Sequence, residues 1–542
     1  MPRYLTHLPL AFITTLLLLL SACGNKNNPS SNSKVFRYNQ ASNISSLDPA
    51  FAKDQANNWA VAQLFDGLVQ TNDQLEIQPA IASAWQISPD GLTYTFQLRR
   101  DVFFHDHAQF EGGKGRRVTA QDVAYSFARI IDPAVASTGA WLFNGKVAEK
   151  DPFQAPNDST FVLRLRQAFR PMLGILAMPY CSVVPREIAE QYGKEFRINP
   201  VGTGAFKFKV WKENEVLVLT RNPNYHERDA QGKALPAIDG IKITFMENKR
   251  NEYLQFLEGK LDFISGLDAS YKDDLLTADG QLQTVLQNKV VLLRSPYLNT
   301  EYIGILQQGN RNEALRNKLV RQAINYGIDR QKMVRFLRNN IGVPAENGFV
   351  PPVMPPFADQ KTKGYTYNPQ RTAELLAAAG YPKGKGMPPI ALETNATYQE
   401  FATFIQKQLA EQGIPMSVNL NPPAFLREKA AKGEADFFRA SWIGDYPDPE
   451  TYLAVLYGGN SAPPNYSRFD NARYNQLYEQ SLTENDDARR YAQYRAMDSL
   501  LLSEAPIVPL YYDEVLRFVQ PRVKNLGINP FNALSLKQVV LE

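Results

Sequence analysis

The segment from Phe437 to Glu450 reads FFRASWIGDYPDPE and carries side chains with a clear chemical use. Pro447 and Pro449 exclude a helix and favour an extended backbone around Asp445. In a dry cleft, a carboxylate can accept charge-assisted hydrogen bonds from an ammonium group. Arg439 lies at an even spacing upstream, so on an extended chain it projects to the same side. The pair would receive both ends of a zwitterion; a structural ion pair between the two is the alternative.

Other candidate motifs give weaker indications of chemistry. His105 and His107 alternate, so both could reach one metal, but we favour two polar residues at a hairpin end. The stretch 111–117, EGGKGRR, lacks the spacing of a phosphate-binding loop and indicates a mobile, solvated insertion. The stretch 202–205, GTGA, precedes a strand pattern, which argues against a nucleotide site. We therefore predict no catalytic residues, no metal and no cofactor.

The chain begins with a pattern typical of an export signal. Arg3 is followed by an apolar run from Leu8 to Leu20, which is shorter than the roughly 20 residues of a membrane-spanning helix. The run ends in Leu-Ser-Ala-Cys, which resembles the cleavage site of bacterial lipoprotein precursors and implies lipid attachment to Cys23. An ordinary signal peptide with a chance cysteine is the alternative. If Cys23 is acylated, Cys181 is the single remaining thiol and should be a buried bystander.

Composition excludes several classes of protein. The 542 residues hold 59 Lys and Arg against 55 Asp and Glu, a net charge of +4, so nothing indicates a nucleic-acid partner. The hydrophobic fraction of 44% is ordinary for a globular protein and excludes disorder of the whole chain. Two Cys and four His leave few ligands for a metal centre.

Strand and helix patterns alternate along the chain. The residues 92–99 alternate between apolar and polar after the turn pair Asp90-Gly91, which predicts a hairpin strand. Stretches 206–210 and 215–220 predict a second hairpin. Predicted helices begin after the capping pair of Thr119 and Asp122, at Asn368-Pro369 before Gly380, and around Phe401 before Gly413; an apolar stripe at Leu315, Leu319 and Ala323 predicts another. The sequence therefore predicts a mixed α/β fold.

Several motifs together resemble a known family. They are ISSLDP at 44–49, the block from ASAW at 82–85 to DVAYS at 122–126, PVGTGAF at 200–206, RNPNY at 221–225, and RQAIN at 321–325 with Asp329-Arg330. With these motifs the chain resembles the bacterial solute-binding proteins of family 5, the dipeptide, oligopeptide and nickel receptors of ABC importers. The resemblance covers nearly all of the chain after the leader.

The resemblance implies an α/β fold of the two-lobed periplasmic-binding-protein type (type II, cluster C), with an extra subdomain in lobe I. The implied division of the chain is a signal peptide at 1–22, a flexible tether at 23–34, lobe I at 35–55, 185–298 and 506–542, the extra subdomain at 56–184, and lobe II at 299–505.

The resemblance also implies a function. In peptide-binding members, an Asp in a W-x-x-D motif holds the α-amino group of the ligand; that position is Asp445, after Trp442. The implied ligand-binding residues are Asp445, Arg439, which would hold the carboxylate of short peptides, Trp442 and Gly444. We expect a monomeric, lipid-anchored, extracytoplasmic receptor that passes peptides to a permease with a cytoplasmic ATPase. A receptor for an opine, an oligosaccharide or a nickel chelate is the alternative, followed by a secreted hydrolase.

Overall fold

The computed structural model describes residues 34–268, 270–355 and 357–542. The predictions for the leader, the lipidated Cys23 and the tether up to residue 33 lie outside these residues. Within the described ranges, no helix has both the length and the apolar character needed to cross a bilayer.

Nineteen strands lie in the described residues. They are β1 (Val35–Asn39), β2 (Val69–Thr71), β3 (Ile77–Pro79), β4 (Ala82–Ile87), β5 (Thr93–Leu98), β6 (Phe153–Asn157), β7 (Thr160–Arg164), β8 (Phe206–Lys212), β9 (Val216–Arg221), β10 (Gly240–Thr244), β11 (Phe263–Ser265), β12 (Val291–Ile305), β13 (Val343–Pro344), β14 (Ile390–Thr394), β15 (Met416–Leu420), β16 (Phe437–Ile443), β17 (Ile507–Val519), β18 (Val523–Lys524) and β19 (Val540–Leu541).

The α-helices pack on both halves of the molecule. They are Gln55–Leu64, Ala120–Ile131, Met172–Leu176, Arg186–Tyr192, Lys249–Leu257, Lys272–Leu275, Glu313–Arg316, Lys318–Tyr326, Arg330–Arg338, Pro369–Ala378, Gln399–Glu411, Pro423–Lys432, Glu450–Leu453, Ala472–Thr483 and Asp487–Glu504.

One large mixed sheet runs through the molecule in the order β15-β14-β16-β12-β17-β11-β1-β10-β9-β8. We call the half with β1 and β8–β11 the first lobe and the half with β14–β16 the second lobe. The long antiparallel strands β12 and β17 belong to both. The first part of β12 pairs with the end of β17, and its last part pairs with both β16 and the beginning of β17. Their register shifts between Pro296 and Thr300, where the ladder passes from one lobe to the other.

A separate four-stranded sheet, in the order β4-β5-β7-β6, lies beside the first lobe. In β5 the side chains alternate between buried and partly exposed, because one face covers a core and the other meets solvent. The helix Ala120–Ile131 packs its buried Phe127 against Phe161 of β7, with ring centroids 5.4 Å apart. Asp122 accepts a hydrogen bond from the backbone N–H of Thr119 at 2.8 Å, which fixes the start of that helix.

The hydrophobic core, like the large sheet, is divided between the two lobes. One cluster joins the first lobe to the small sheet and contains Phe36, Trp59 and Phe96. The second lobe has one cluster around Ile303 and Leu392, another that is rich in buried tyrosines, and a small one around Phe438. The mixed α/β architecture predicted from the sequence is confirmed. The domain boundaries given above stay a prediction.

The predicted hairpins and three of the predicted helices are present. The stripe at Leu315 and Leu319 does not form one helix. Asn317 separates the helices Glu313–Arg316 and Lys318–Tyr326, because its side chain accepts a hydrogen bond from the N–H of Leu319 at 2.9 Å and begins the second helix.

Candidate functional site

Strand β16 and the turn after it place Asp445. Antiparallel pairing with β12 sets Arg439 opposite Ile303 and Ile443 opposite Asn299. The strand ends at Ile443, and the N–H of Gly444 then donates to the carbonyl of Leu298 at 2.8 Å. The chain leaves the plane of the sheet at this point, so Asp445 lies beyond the strand.

Gly444 is buried against the tyrosine core of the second lobe. A Cβ atom on this residue would lie 3.2 Å from the ring of Tyr452 and 3.3 Å from its hydroxyl oxygen. Trp442 packs half-buried on the same cluster, and its indole N–H has no hydrogen-bond partner in the described residues. Both residues therefore support the turn that carries Asp445, and glycine allows the turn to pass close to Tyr452.

The turn after Gly444 also contacts the first lobe. A Cβ atom on Gly174 would lie 3.0 Å from the ring of Pro447 and 3.1 Å from the Cβ of Tyr446. Tyr446 belongs to the core cluster of the first lobe, although its chain segment comes from the second. The segment that carries Asp445 therefore bridges the two lobes.

Buried ionic groups hold the segment that carries Asp445 in place. Arg490 donates to Asp448 at 2.6 Å, and both side chains are buried. Glu450 is buried as well, and it accepts hydrogen bonds from the hydroxyls of Tyr446 and Tyr478. Paired buried charges of this kind are costly to break, so the backbone around Asp445 is held firmly.

The Asp445 carboxylate itself faces open space. Its side chain is exposed to solvent in the cleft, and the described residues place no cation within ion-pair distance of it. Its backbone N–H donates to the Thr451 hydroxyl at 3.2 Å. The surrounding protein displaces much of the water around the carboxyl group and, with the nearby Glu450 carboxylate, raises the pKa of Asp445 to about 6. The Thr451 side chain hydrogen-bonds to the Asp445 carboxylate and lowers its pKa slightly, but the carboxylate has no cationic partner among the described residues.

Asp445 lines a cavity of about 440 Å³ between the lobes. From the first lobe, Asn58 and Trp59 of the helix Gln55–Leu64 form part of the opposite wall. Tyr297, at the register shift of β12, also contributes to the lining. A pocket of this size with a few polar groups is the usual form of a small-ligand site.

Arg439 does not share this cavity. Its guanidinium donates to the carboxylate of Glu301 on β12, and their side chains are 16% and 4% exposed. The guanidinium carbon also lies 3.5 Å from the ring centroid of Tyr398. The even spacing between Arg439 and Asp445 does not place their side chains on the same side, because the strand ends at Ile443. The alternative ion pair between Arg439 and Asp445 is likewise absent from the described residues.

The remaining sequence candidates have structural roles. His105 is buried and bonds through Nε2 to the carbonyl oxygen of Gly204 at 2.9 Å, and burial lowers its pKa to about 4. His107 instead contacts Tyr192. The described residues contain no group of three or more side chains that could hold a metal ion. Both histidines lie in the loop that the isolated antiparallel bridge between Phe103 and Arg117 closes, and no strand contains either of them.

The insertion 111–117 is largely exposed, and Arg116 anchors its end. Arg116 donates to Asp122 at 2.8 and 2.6 Å and to Glu187 at 2.6 and 2.8 Å.

Gly202 and Gly204 allow close packing, since a Cβ on either would lie within 3 Å of backbone in the helix Gln55–Leu64 or at its end. Cys181 is buried, as predicted.

Sequence reasoning missed the first-lobe wall of the cavity. Asn58 and its neighbour Asp54 lie far from Asp445 in the chain, and no local pattern connects them. Glu450 was missed because a glutamate at the start of a short helix resembles an ordinary exposed helix end.

Comparison with known proteins gives consistent matches over the length of the chain. The family described as "Bacterial extracellular solute-binding proteins, family 5 Middle" matches residues 76–463. Heme-binding protein A of Haemophilus influenzae is 27% identical over 521 residues, which is 93% of this chain and 91% of that protein. Glutathione-binding protein GsiB of Escherichia coli is 26% identical over 512 residues, which is 92% of this chain and 93% of that protein.

A solved structure shows the same similarity. The periplasmic binding protein DppA of Helicobacter pylori, in complex with the peptide STSA, superposes with a TM-score of 0.75 at 27% identity. The match covers 94% of this chain and 98% of that one. The two-lobed fold implied by the sequence motifs is therefore confirmed.

Proposed function

The chain belongs to family 5 of the bacterial extracellular solute-binding proteins of ABC importers, and on that premise we propose that it captures peptides beside Asp445. The peptide is delivered to a permease that a cytoplasmic ATPase drives. In this proposal the chain is a monomer, and a lipid on Cys23 holds it at the membrane. It binds its ligand without covalent chemistry.

One observation carries the proposal: Asp445 is a firmly positioned carboxylate that faces the cavity without a cation. A peptide α-ammonium group would supply that cation through charge-assisted hydrogen bonds. The carboxylate is already partly desolvated, so an ammonium group gains more from it than from a carboxylate in bulk water. Trp442 and Gly444 act by holding the turn in place.

Arg439 has a conditional role in this proposal. The carboxylate of a short peptide would reach its guanidinium only by displacing Glu301. The main chain of a longer peptide would instead bind by hydrogen bonds to the cleft, as in strand addition. Ligand then favours the closed arrangement of the lobes through its higher affinity for that state.

The charge of Asp445 also bears on other solutes. Relatives named for heme and for glutathione match at similar identity, so membership of the family alone leaves the ligand open. Heme carries no ammonium group, and its carboxylates would repel the Asp445 carboxylate. Glutathione is a tripeptide with a free ammonium group and suits the site better. The site therefore favours an amine-bearing ligand.

Calorimetric titration of one peptide in two forms tests the proposal. At pH 7.5 we expect the N-acetylated form to bind at least tenfold more weakly than the free amine, because acetylation removes the cation. Asp445→Asn should remove most of that difference. Asp158→Asn, at an exposed aspartate on the hairpin of β6 and β7, is the matched control and should preserve it.

Equal affinity of the two forms would remove Asp445 from the proposed role. Mass spectrometry of the ligand that copurifies with the protein is an independent check, and an amine-free solute would contradict peptide capture. Incubation with peptide should return it intact; cleavage would indicate a hydrolase.

A further inference from the structure

The cavity beside Asp445 carries an excess of negative charge. Its carboxylate and ammonium groups are Lys53, Asp54, Asp66, Asp73, Asp445 and Lys537. Four carboxylates therefore face two ammonium groups. The charge that a ligand meets in this cavity depends on which of these groups already have partners in the protein.

Half of these groups are engaged. Lys537 lies 2.7 Å from a carboxylate oxygen of Glu227, outside the lining. Asp66 accepts hydrogen bonds from the hydroxyls of Thr203 at 2.8 Å and Tyr225 at 3.1 Å. Asp73 accepts from the side-chain amide of Asn529 at 3.2 Å.

The carboxylates of Asp54 and Asp445 have no cationic partner among the described residues, and Lys53 is the one ammonium group there without an ion pair. The exposed Asp54 precedes the helix Gln55–Leu64, and its Oδ1 accepts the N–H of Asn57 at 3.0 Å. The second oxygen of the Asp54 carboxylate remains available to a ligand.

The two free carboxylates approach the same space from different lobes. Asp54 comes from the first lobe and Asp445 from the turn that follows β16. Both charges act on the hydroxyl of the buried Tyr180, whose pKa is raised chiefly by burial and further by these two carboxylates. On the Asp54 side, the Oδ1 atom of Asn58 is buried and has no donor in the described structure. Two carboxylates without a cationic partner and one unpaired amide oxygen in the described residues thus line the two walls.

We infer that the ligand carries a second cationic group, a lysine or arginine side chain of the peptide, which binds Asp54 and Asn58 while the α-ammonium group binds Asp445. This inference rests on the proposed function and makes its ligand class narrower. Two carboxylates across one cavity repel each other, and a ligand with two positive groups removes that repulsion. A neutral zwitterion would leave one carboxylate unpaired.

The position of Arg439 supports a net positive ligand. A ligand carboxylate entering this cavity would find Lys53 as its available partner, because Glu301 already binds Arg439. An acidic peptide would also bring a further negative charge to a wall that is already negative.

Calorimetry with a short peptide series tests the inference. The probes are Ala-Lys-Ala, Ala-Ala-Lys, Ala-Ala-Ala and Ala-Glu-Ala at pH 7.5. We expect one of the lysine peptides to bind at least tenfold more tightly than Ala-Ala-Ala, and Ala-Glu-Ala to bind most weakly.

Asp54→Asn is the decisive variant, because asparagine caps a helix as well as aspartate does and should leave the fold intact. It should reduce the preference for lysine, measured as the ratio of the affinities for the lysine peptide and Ala-Ala-Ala in the same variant, to less than about twofold. Asp158→Asn should keep the full preference. Circular dichroism of each variant checks the fold.

Three results would overturn the inference. Equal binding of the lysine and glutamate peptides would refute the second cationic site and leave the proposed function standing. A preference for lysine that persists in Asp54→Asn would place that site elsewhere. If none of the four peptides binds, the proposed function fails, and this inference fails with it.

Discussion

The protonation state of Asp445 predicts opposite pH dependences for two forms of one peptide. A free-amine peptide needs the ionised carboxylate, whereas an N-acetylated peptide is better accommodated by the neutral acid. Between pH 7 and pH 5 the affinity for the first should fall and that for the second should rise. The raised pKa of Asp445, about 6, places this change in an accessible range.

The size of the effect follows from the ionised fraction. With a pKa of about 6, roughly nine-tenths of Asp445 is ionised at pH 7 and roughly one-tenth at pH 5. The free-amine peptide should therefore lose about tenfold in affinity, and the acetylated peptide should gain about tenfold. Both are upper values, because the side chain also touches water in the cleft. The α-ammonium group stays largely protonated throughout, since its own pKa is near 8.

Isothermal titration calorimetry at several pH values, in buffers of different ionisation enthalpy, measures both the affinity and the protons taken up or released. The carboxylates facing the same cavity are Asp54, Asp66 and Asp73, and Glu450 lies behind the turn, so Asp445→Asn is needed as the control. Both profiles should become nearly flat in that variant.

Parallel pH profiles for the two peptides would refute the reasoning, because one carboxylate cannot favour both. A tenfold slope that survives in Asp445→Asn would assign the titration to another group.

Other groups near the site give predictions for stability and reactivity. Asp445→Asn should raise the melting temperature of the ligand-free protein at pH 7.5, because a raised native pKa means that ionisation weakens folding as pH rises; a lower melting temperature would contradict this. Glu301→Gln should lower the free energy of unfolding by about 3–5 kcal/mol by leaving Arg439 unpaired, and adding Arg439→Met should recover most of it in denaturation experiments. Burial raises the pKa of the Cys181 thiol, so a soluble form that begins after Cys23 should react with Ellman's reagent only once unfolded; rapid reaction of the native protein would count against the packing.

Local periodicity predicted the elements whose burial follows a simple pattern. The alternation in β5 and the capping residues of the helix Pro369–Ala378 are local signals, and both elements form where the sequence indicates. The apolar stripe at Leu315 and Leu319 failed because Asn317 between them prefers to cap a new helix. Capping competes with helix continuation, and the spacing of apolar residues does not record that competition.

The candidate site was only half visible in the sequence. The prolines after Asp445 predicted an extended backbone, whereas the structure has a bend at 445–448 in which only Asp445 is exposed. The partner of Arg439 is not a local property, because Glu301 lies 138 residues away on a neighbouring strand. The same holds for Asp54 and Asn58, which reach the cavity only through the packing of the lobes.

The long strands β12 and β17 also bear on how the protein melts. Each spends part of its length in the ladder of one lobe and the rest in the ladder of the other. Loss of either lobe would strip backbone partners from strands that the other lobe needs. The two lobes should therefore unfold cooperatively, and heating should give a single calorimetric peak for both.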